Sequence, residues 1–244
     1  MALFLLLVFP AAVLAGGVAA LAGFGIGSLL TPLVALRVGI KAAVILVAVP
    51  HLAASALRLW MLRGHIEHGV LLTFGAASAA GGLAGALLHG RLGSRTLGIV
   101  LGALLTFAGI GGLTGISVRW RIRGGGWAVL AGGLSGGFGG LVGNQGGIRS
   151  AALLHLGLSR TGLVATASGI ALAVDLARIP VYAVTGWEEL AQGWPLVAVM
   201  AGGTLIGTVL GEPVLRRVPD RLFRRVVFLL VTALGLALIA GLGA

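Results

Sequence analysis

Residues 22–32 read Ala22-Gly23-Phe24-Gly25-Ile26-Gly27-Ser28-Leu29-Leu30-Thr31-Pro32. They lie inside an uncharged run from Met1 to Leu36. That run is too long for one straight crossing of a bilayer, which takes about 20 residues of helix. Glycine costs a helix interior about 1 kcal/mol against alanine, and clustered glycines allow positive φ and unwinding. The stretch therefore predicts a helix that breaks and restarts. Pro32 suits the first turn of the restarted half-helix, where its missing N–H is not needed. No Lys or Arg precedes the run, so it reads as a retained first helix rather than a cleaved leader.

The rest of the chain places that break in a membrane. Of 244 residues, 58% are hydrophobic and 9% charged, 44 are Gly, and the mean hydropathy is +1.11. Soluble domains carry about 25% charge. So few charges cannot cover a surface in water, which excludes a soluble enzyme, a disordered chain and a nucleic-acid binder, despite a net charge of +11. The absence of Cys removes disulfides, thiolate metal sites and thiol nucleophiles. Seven further apolar runs follow the first: 42–57, 69–88, 96–118, 124–148, 161–187 (interrupted by Asp175 and Arg178), 190–211 and 226–244. The expected fold is an all-α integral membrane protein of about eight transmembrane helices. With eight crossings, Arg37, Lys41, Arg91, Arg95, Arg160 and the basic residues of 216–225 share one side, and Arg63, Arg119, Arg121 and Arg123 the other. Ten against four puts the first group in the cytoplasm and both termini outside, although Arg-Trp-Arg-Ile-Arg at 119–123 argues the other way.

A second break reads Gly139-Gly140-Leu141-Val142-Gly143-Asn144-Gln145-Gly146-Gly147-Ile148-Arg149. Setting Gly25 against Gly143 and Gly39 against Gly157 divides the chain into two internal repeats, 1–118 and 127–244, joined by a basic, Gly-rich linker at 119–126. Each repeat opens on a Gly-broken helix. Transporters built from repeats bind substrate near mid-membrane at such discontinuities. The restarted half-helix turns free N–H groups and a positive dipole end into the cavity, which suits an anion. Gly25, Gly27 and Ser28 are the expected donors from one half, and Gly143, Asn144, Gln145, Gly146 and Gly147 from the other. Arg149 adds a fixed positive charge with planar donors. Parallel and inverted arrangements of the halves both stay open. Gly81/Gly85, Gly98/Gly102, Gly132/Gly136 and Gly203/Gly207 have small-xxx-small spacing and are expected only to let helices approach.

The two breaks resemble the sulfite exporter TauE/SafE family of membrane permeases. The resemblance rests on Gly23 through Gly39 and on its second copy, Gly140 through Gly157, each a Gly-rich break, apolar residues and a small loop with Gly. It extends to the Ala/Thr/Ser-rich helix at 160–182 and covers nearly the whole chain. It implies transport of small sulfur-containing or organic anions such as sulfite or sulfonates. Asn144-Gln145 and Ser150 depart from the pattern at the expected site and bear on the substrate.

Other polar residues carry competing readings. Asp175 and Arg178 share a helical face. They either handle a coupling proton and the anion or form an ion pair that fixes packing. His51, after Pro50, either binds substrate and titrates or donates to a backbone carbonyl freed by the proline. His65, Glu67 and His68 lack further ligands nearby and read as an interfacial loop rather than a metal site. Trp187 and Trp194 read as interface anchors, and 216–225 as a loop facing anionic lipid headgroups. No nucleotide-binding motif is present, and no metal or cofactor is expected. The partners are a small anion and membrane lipids, with a homo-oligomer left open. The leading function is a secondary transporter of the plasma membrane working by alternating access, not an enzyme. The alternatives are a passive anion channel and an intramembrane hydrolase using Ser135 with His155 as its base.

Overall fold

Backbone N–H and C=O groups have no partner in hydrocarbon except one another, so apolar runs of this length become helices. The computed structural model describes residues 2–115, 125–154, 156–215 and 219–243. Within them lie α1 (Ala2–Ala22), α2 (Ile26–Val38), α3 (Ile40–Leu62), α4 (His68–His89), α5 (Ser94–Thr114), α6 (Gly125–Val142), α7 (Gly146–Leu154), α8 (Arg160–Thr185), α9 (Trp187–Leu215) and α10 (Asp220–Ile239). Six of these, α1, α3, α4, α5, α8 and α9, are long and apolar enough to cross a membrane; α2, α6 and α10 are shorter apolar helices. The eight apolar runs therefore map onto ten helices. The first run divides into α1 and α2, and the fifth into α6 and α7. The sixth passes Asp175 and Arg178 unbroken as α8, and α3 continues through Arg58 to Leu62.

Close approach through glycine decides the pairing, because without Cβ atoms the backbones meet directly. Gly81 and Gly85 of α4 lie against Gly133 and Gly137 of α6, and Gly136 against Ser78. Gly203 and Gly207 of α9 lie against Phe9 and Val13 of α1, and Gly102 of α5 against Gly235 of α10. Contact order rises together along α4 and α6 and along α1 and α9, so each of these pairs is parallel; α5 and α10 are antiparallel. α3 and α8 pack on each other at the centre, α3 also against α9 and α8 against α4. Their apolar stretches are 61% and 67% buried, against 33–39% for the other four long helices. One buried apolar cluster spans α1, α2, α3, α5, α9 and α10; a second gathers Phe74, Ala131, Leu153 and Ile170 between α4, α6, α7 and α8.

Turn contacts sort the helix ends. At one end the Ile40 amide donates to the Gly243 carbonyl at 2.9 Å, and Lys41 Nζ to the Gly90 carbonyl at 3.4 Å. At the other the Glu67 amide donates to Thr166 Oγ1 at 3.0 Å, and Gly162 faces the His65 carbonyl. Arg160 thus shares an end with Arg63, not with Arg37, Lys41, Arg91 and Arg95 as eight alternating crossings placed it. The physical reason is the breaks: α2 turns back along α1, and α7 along α6, so each half makes an odd number of passes. Most of the expected linker 119–126, along with His155, Arg216 and Arg217, lies outside the described residues.

Candidate functional site

The two helix breaks begin with the same backbone turn. Gly23 follows α1 with φ +73°, and Gly143 follows α6 with φ +72°. This is the left-handed region that L side chains avoid and glycine enters freely. Two more residues follow in each, Phe24-Gly25 and Asn144-Gln145, before α2 and α7 begin. Helix ends therefore pair Gly23 with Gly143, a shift of 120 rather than the 118 obtained by setting Gly25 against Gly143. Gly39 and Ser159, which precede α3 and α8, pair at the same shift.

The breaks lie against each other. A Cβ on Gly27 would overlap the Gly143 carbonyl oxygen, and one on Gly146 would overlap Phe24 Cβ. Ser28 Oγ donates to Asn144 Oδ1 at 3.2 Å, and Arg149 Nη2 to the Gly23 carbonyl at 2.9 Å. Each half thus grips the other's break. Between them is a small recess of about 10 Å³, room for roughly one water molecule. Gly25, Gly27 and Ser28 line it from one half, and Gly143, Asn144, Gln145, Gly146 and Arg149 from the other, with Phe24 and His51 completing the wall. Gly147 is not brought there; it is exposed, with Ala108 Cβ 3.9 Å from where its own Cβ would stand.

Polar capacity at the cavity exceeds what the protein uses. Gln145 is 3% exposed and Arg149 1%. Both amide atoms of Gln145, and Nε and Nη1 of Arg149, have no protein partner among the described residues. The first intrahelical bonds of the half-helices are Leu29 N to Gly25 O and Arg149 N to Gln145 O. The amides preceding them are the free donors of a helix start, at its positive end. A buried guanidinium, two half-helix starts and carboxamides form a strongly electropositive recess. Ser135 Oγ donates to the Gln145 carbonyl at 3.0 Å and so anchors the break, while its expected base, His155, lies outside the described residues.

Asp175 and Arg178 sit behind this recess rather than in its wall. Asp175 is fully buried; its Oδ1 accepts from Arg178 Nε at 2.9 Å and Nη2 at 2.8 Å. His51 does not donate to a backbone carbonyl: its Nδ1 faces Asp175 Oδ2 at 2.6 Å, across the α3–α8 contact. A carboxylate outcompetes a carbonyl for an imidazole N–H because it is charged. His51 therefore joins the cavity to the buried pair. Arg178 Nη1 donates to the Gly139 carbonyl at 2.7 Å, Tyr182 Oη to the Gly140 carbonyl, and His89 Nδ1 to the Leu141 carbonyl at 2.8 Å. These are the terminal carbonyls of α6; that of Gly139 also accepts from the Gly143 amide at 3.1 Å. His65, Glu67 and His68 stay at the helix turn, and no group of three or more His, Asp or Glu side chains that could hold a metal ion forms among the described residues.

Sequence reasoning missed Arg58, Tyr182 and His89. Arg58 ended an apolar run and was read as its boundary, yet it is 3% exposed inside α3. The signal was the spacing: Ser55 and Arg58 repeat Asp175 and Arg178 at the shift of 120. Tyr182 is the chain's one tyrosine, and a lone phenol on an apolar helix marks a buried acceptor.

The model of the family described as Sulfite exporter TauE/SafE matches residues 8–238. Neither a curated protein nor a solved structure matches the chain.

Proposed function

The chain belongs to the sulfite exporter TauE/SafE family, a family of membrane permeases, and from that premise we propose that it is a secondary transporter of small sulfur-containing or organic anions, such as sulfite or sulfonates, in the plasma membrane. The observation that carries this reading is the cavity between the two breaks, where Gln145 and Arg149 keep unpartnered donors at two half-helix starts. An anion of a few atoms satisfies those donors and the positive dipole ends together.

Alternating access draws support from the packing. We read 1–118 and 127–244 as two inverted repeats: α1 packs with α9 and α6 with α4, α3 meets α8, and α5 meets α10. The pairings named stay the same when the halves are exchanged, and the α2–α3 and α7–α8 turns lie at opposite ends. Rocking one half against the other exposes a site on the shared axis first to one side and then to the other. His51, Asp175 and Arg178 couple this to protons. A proton on His51 is held by Asp175 and adds positive charge to the cavity wall, so proton and anion bind together.

The test is radiolabelled uptake into proteoliposomes of sulfite, sulfate, a short sulfonate and a carboxylate, with Arg149→Ala beside wild type. Saturable, counter-exchanging uptake of a sulfur anion that Arg149→Ala reduces is the expected result. Single-channel conductance would replace the carrier with a passive channel, and no uptake under either a proton gradient or a membrane potential would remove this substrate class.

A further inference from the structure

The reading above leaves one buried charge unused. Arg58 of α3 is 3% exposed. Its Nε donates to Ser168 Oγ at 3.3 Å and its Nη2 to Ser55 Oγ at 3.0 Å, while Nη1 has no partner among the described residues. Both partners are hydroxyls. Its equivalent at the shift of 120, Arg178, has Asp175 one helical turn behind; Arg58 has Ser55 there. No ion pair among the described residues neutralises Arg58 or Arg149.

The charge balance of the interior follows. Arg178 cancels Asp175. With His51 neutral, Arg58 and Arg149 remain, two full positive charges at membrane depth. Arg149 bears electrostatically on Arg58. Two like charges buried together are costly unless a counter-charge joins them. Arg58 lies seven residues along α3 from His51, about two turns or roughly 10 Å toward the Arg63 end. Arg149 stands in the cavity wall on α7, which runs toward that same end. The two guanidinium groups therefore both lie on the Arg63 side of the cavity.

Resting on the transporter reading, we propose that Arg58 is a second anion-binding residue, and that with Arg149 it selects doubly charged oxyanions over singly charged ones of the same shape. Shape cannot make this choice, since a tetrahedral dianion and its monoanionic methyl analogue fill similar volumes. Charge can: a dianion neutralises both guanidinium groups, and a monoanion leaves one bare.

The experiment measures sulfate and methanesulfonate as competing substrates in proteoliposomes, for wild type, Arg58→Gln and Ser55→Asp. Ser55→Asp copies the Asp175–Arg178 pair into α3, so Arg58 keeps a partner and the fold keeps its satisfied interior. Wild type should prefer sulfate. Both variants should lower the sulfate-to-methanesulfonate ratio by about tenfold or more, the scale of one lost buried charge contact. If wild type takes up both anions and Ser55→Asp leaves the ratio unchanged, Arg58 is structural and this inference falls while the transporter reading stands. If wild type handles neither anion nor any other of the sulfur anions, both fall together. Should Arg58→Gln fail to fold, Ser55→Asp alone decides.

Discussion

Gly146 and Gly147 are neighbours with opposite surroundings. A Cβ at Gly146 would overlap Phe24 of the other break; at Gly147 it would stand 3.9 Å from Ala108, an ordinary contact. Gly146→Ala should push the breaks apart and cut uptake more than about tenfold, at a stability cost of about 1–3 kcal/mol. Gly147→Ala should transport within about twofold of wild type and gain slightly in helix propensity. The comparison, made by uptake and thermal unfolding of purified protein, separates a shaped site from a generally Gly-dependent helix. From the sequence both residues looked like donors. What divides them is the direction each faces on α7, which a glycine run does not encode, because it has no side-chain pattern to give a periodicity. Arg149 was legible for the opposite reason. A charge inside an apolar run has few stable positions, and nearly all of them face a cavity or a partner.

Helix pairing was partly legible. The small-xxx-small pairs meet neighbouring backbones, Gly85 of α4 against Gly137 and Gly136 of α6 against Ser78. Which helices pair was not readable, because a smooth glycine face fits any other smooth face. Gly136→Val should be among the most damaging changes outside the cavity. Its Cβ would overlap the Ser78 carbonyl oxygen, whose backbone cannot yield as a side chain does. The expected loss is about 1–3 kcal/mol or more, read as a fall in unfolding temperature in detergent. Leu134, one face away and exposed, should accept Ala with little change. The restart of each helix was readable from glycine clustering; the backward turn of α2 along α1 was not. Glycine permits a reversal and a straight continuation equally, and tertiary packing chooses.

At the scale of the whole molecule, the backward turns alter sidedness. Arg63, Arg160, Arg221 and Arg225 share the end opposite Arg37, Lys41, Arg91 and Arg95. In the sequence, the stretches between α5 and α6 and between α9 and α10 add Arg119, Arg121, Arg123, Arg216 and Arg217. The positive-inside bias then predicts a cytoplasmic Arg63 end. The chain has no cysteine, so single cysteines report directly. In intact cells an impermeant maleimide should label Gly93→Cys at the α4–α5 turn and spare Gly64→Cys at the α3–α4 turn. The reverse pattern would invert the molecule. Composition alone gave the fold class, since 9% charge cannot clothe a water-soluble surface. Parity was beyond it, because parity depends on whether a break reverses the chain.

The two breaks begin with the same turn but differ in what holds them. Three side chains from α4 and α8, His89, Arg178 and Tyr182, fasten the end of α6, and Ser135 ties the Gln145 carbonyl from within. The end of α1 is held by Arg149 at Gly23, a residue that also faces the cavity. One break is therefore held from several sides, and the other by a side chain within reach of whatever enters the cavity. An anion held in the cavity would draw on the same guanidinium that secures the first break, so loading would loosen that break.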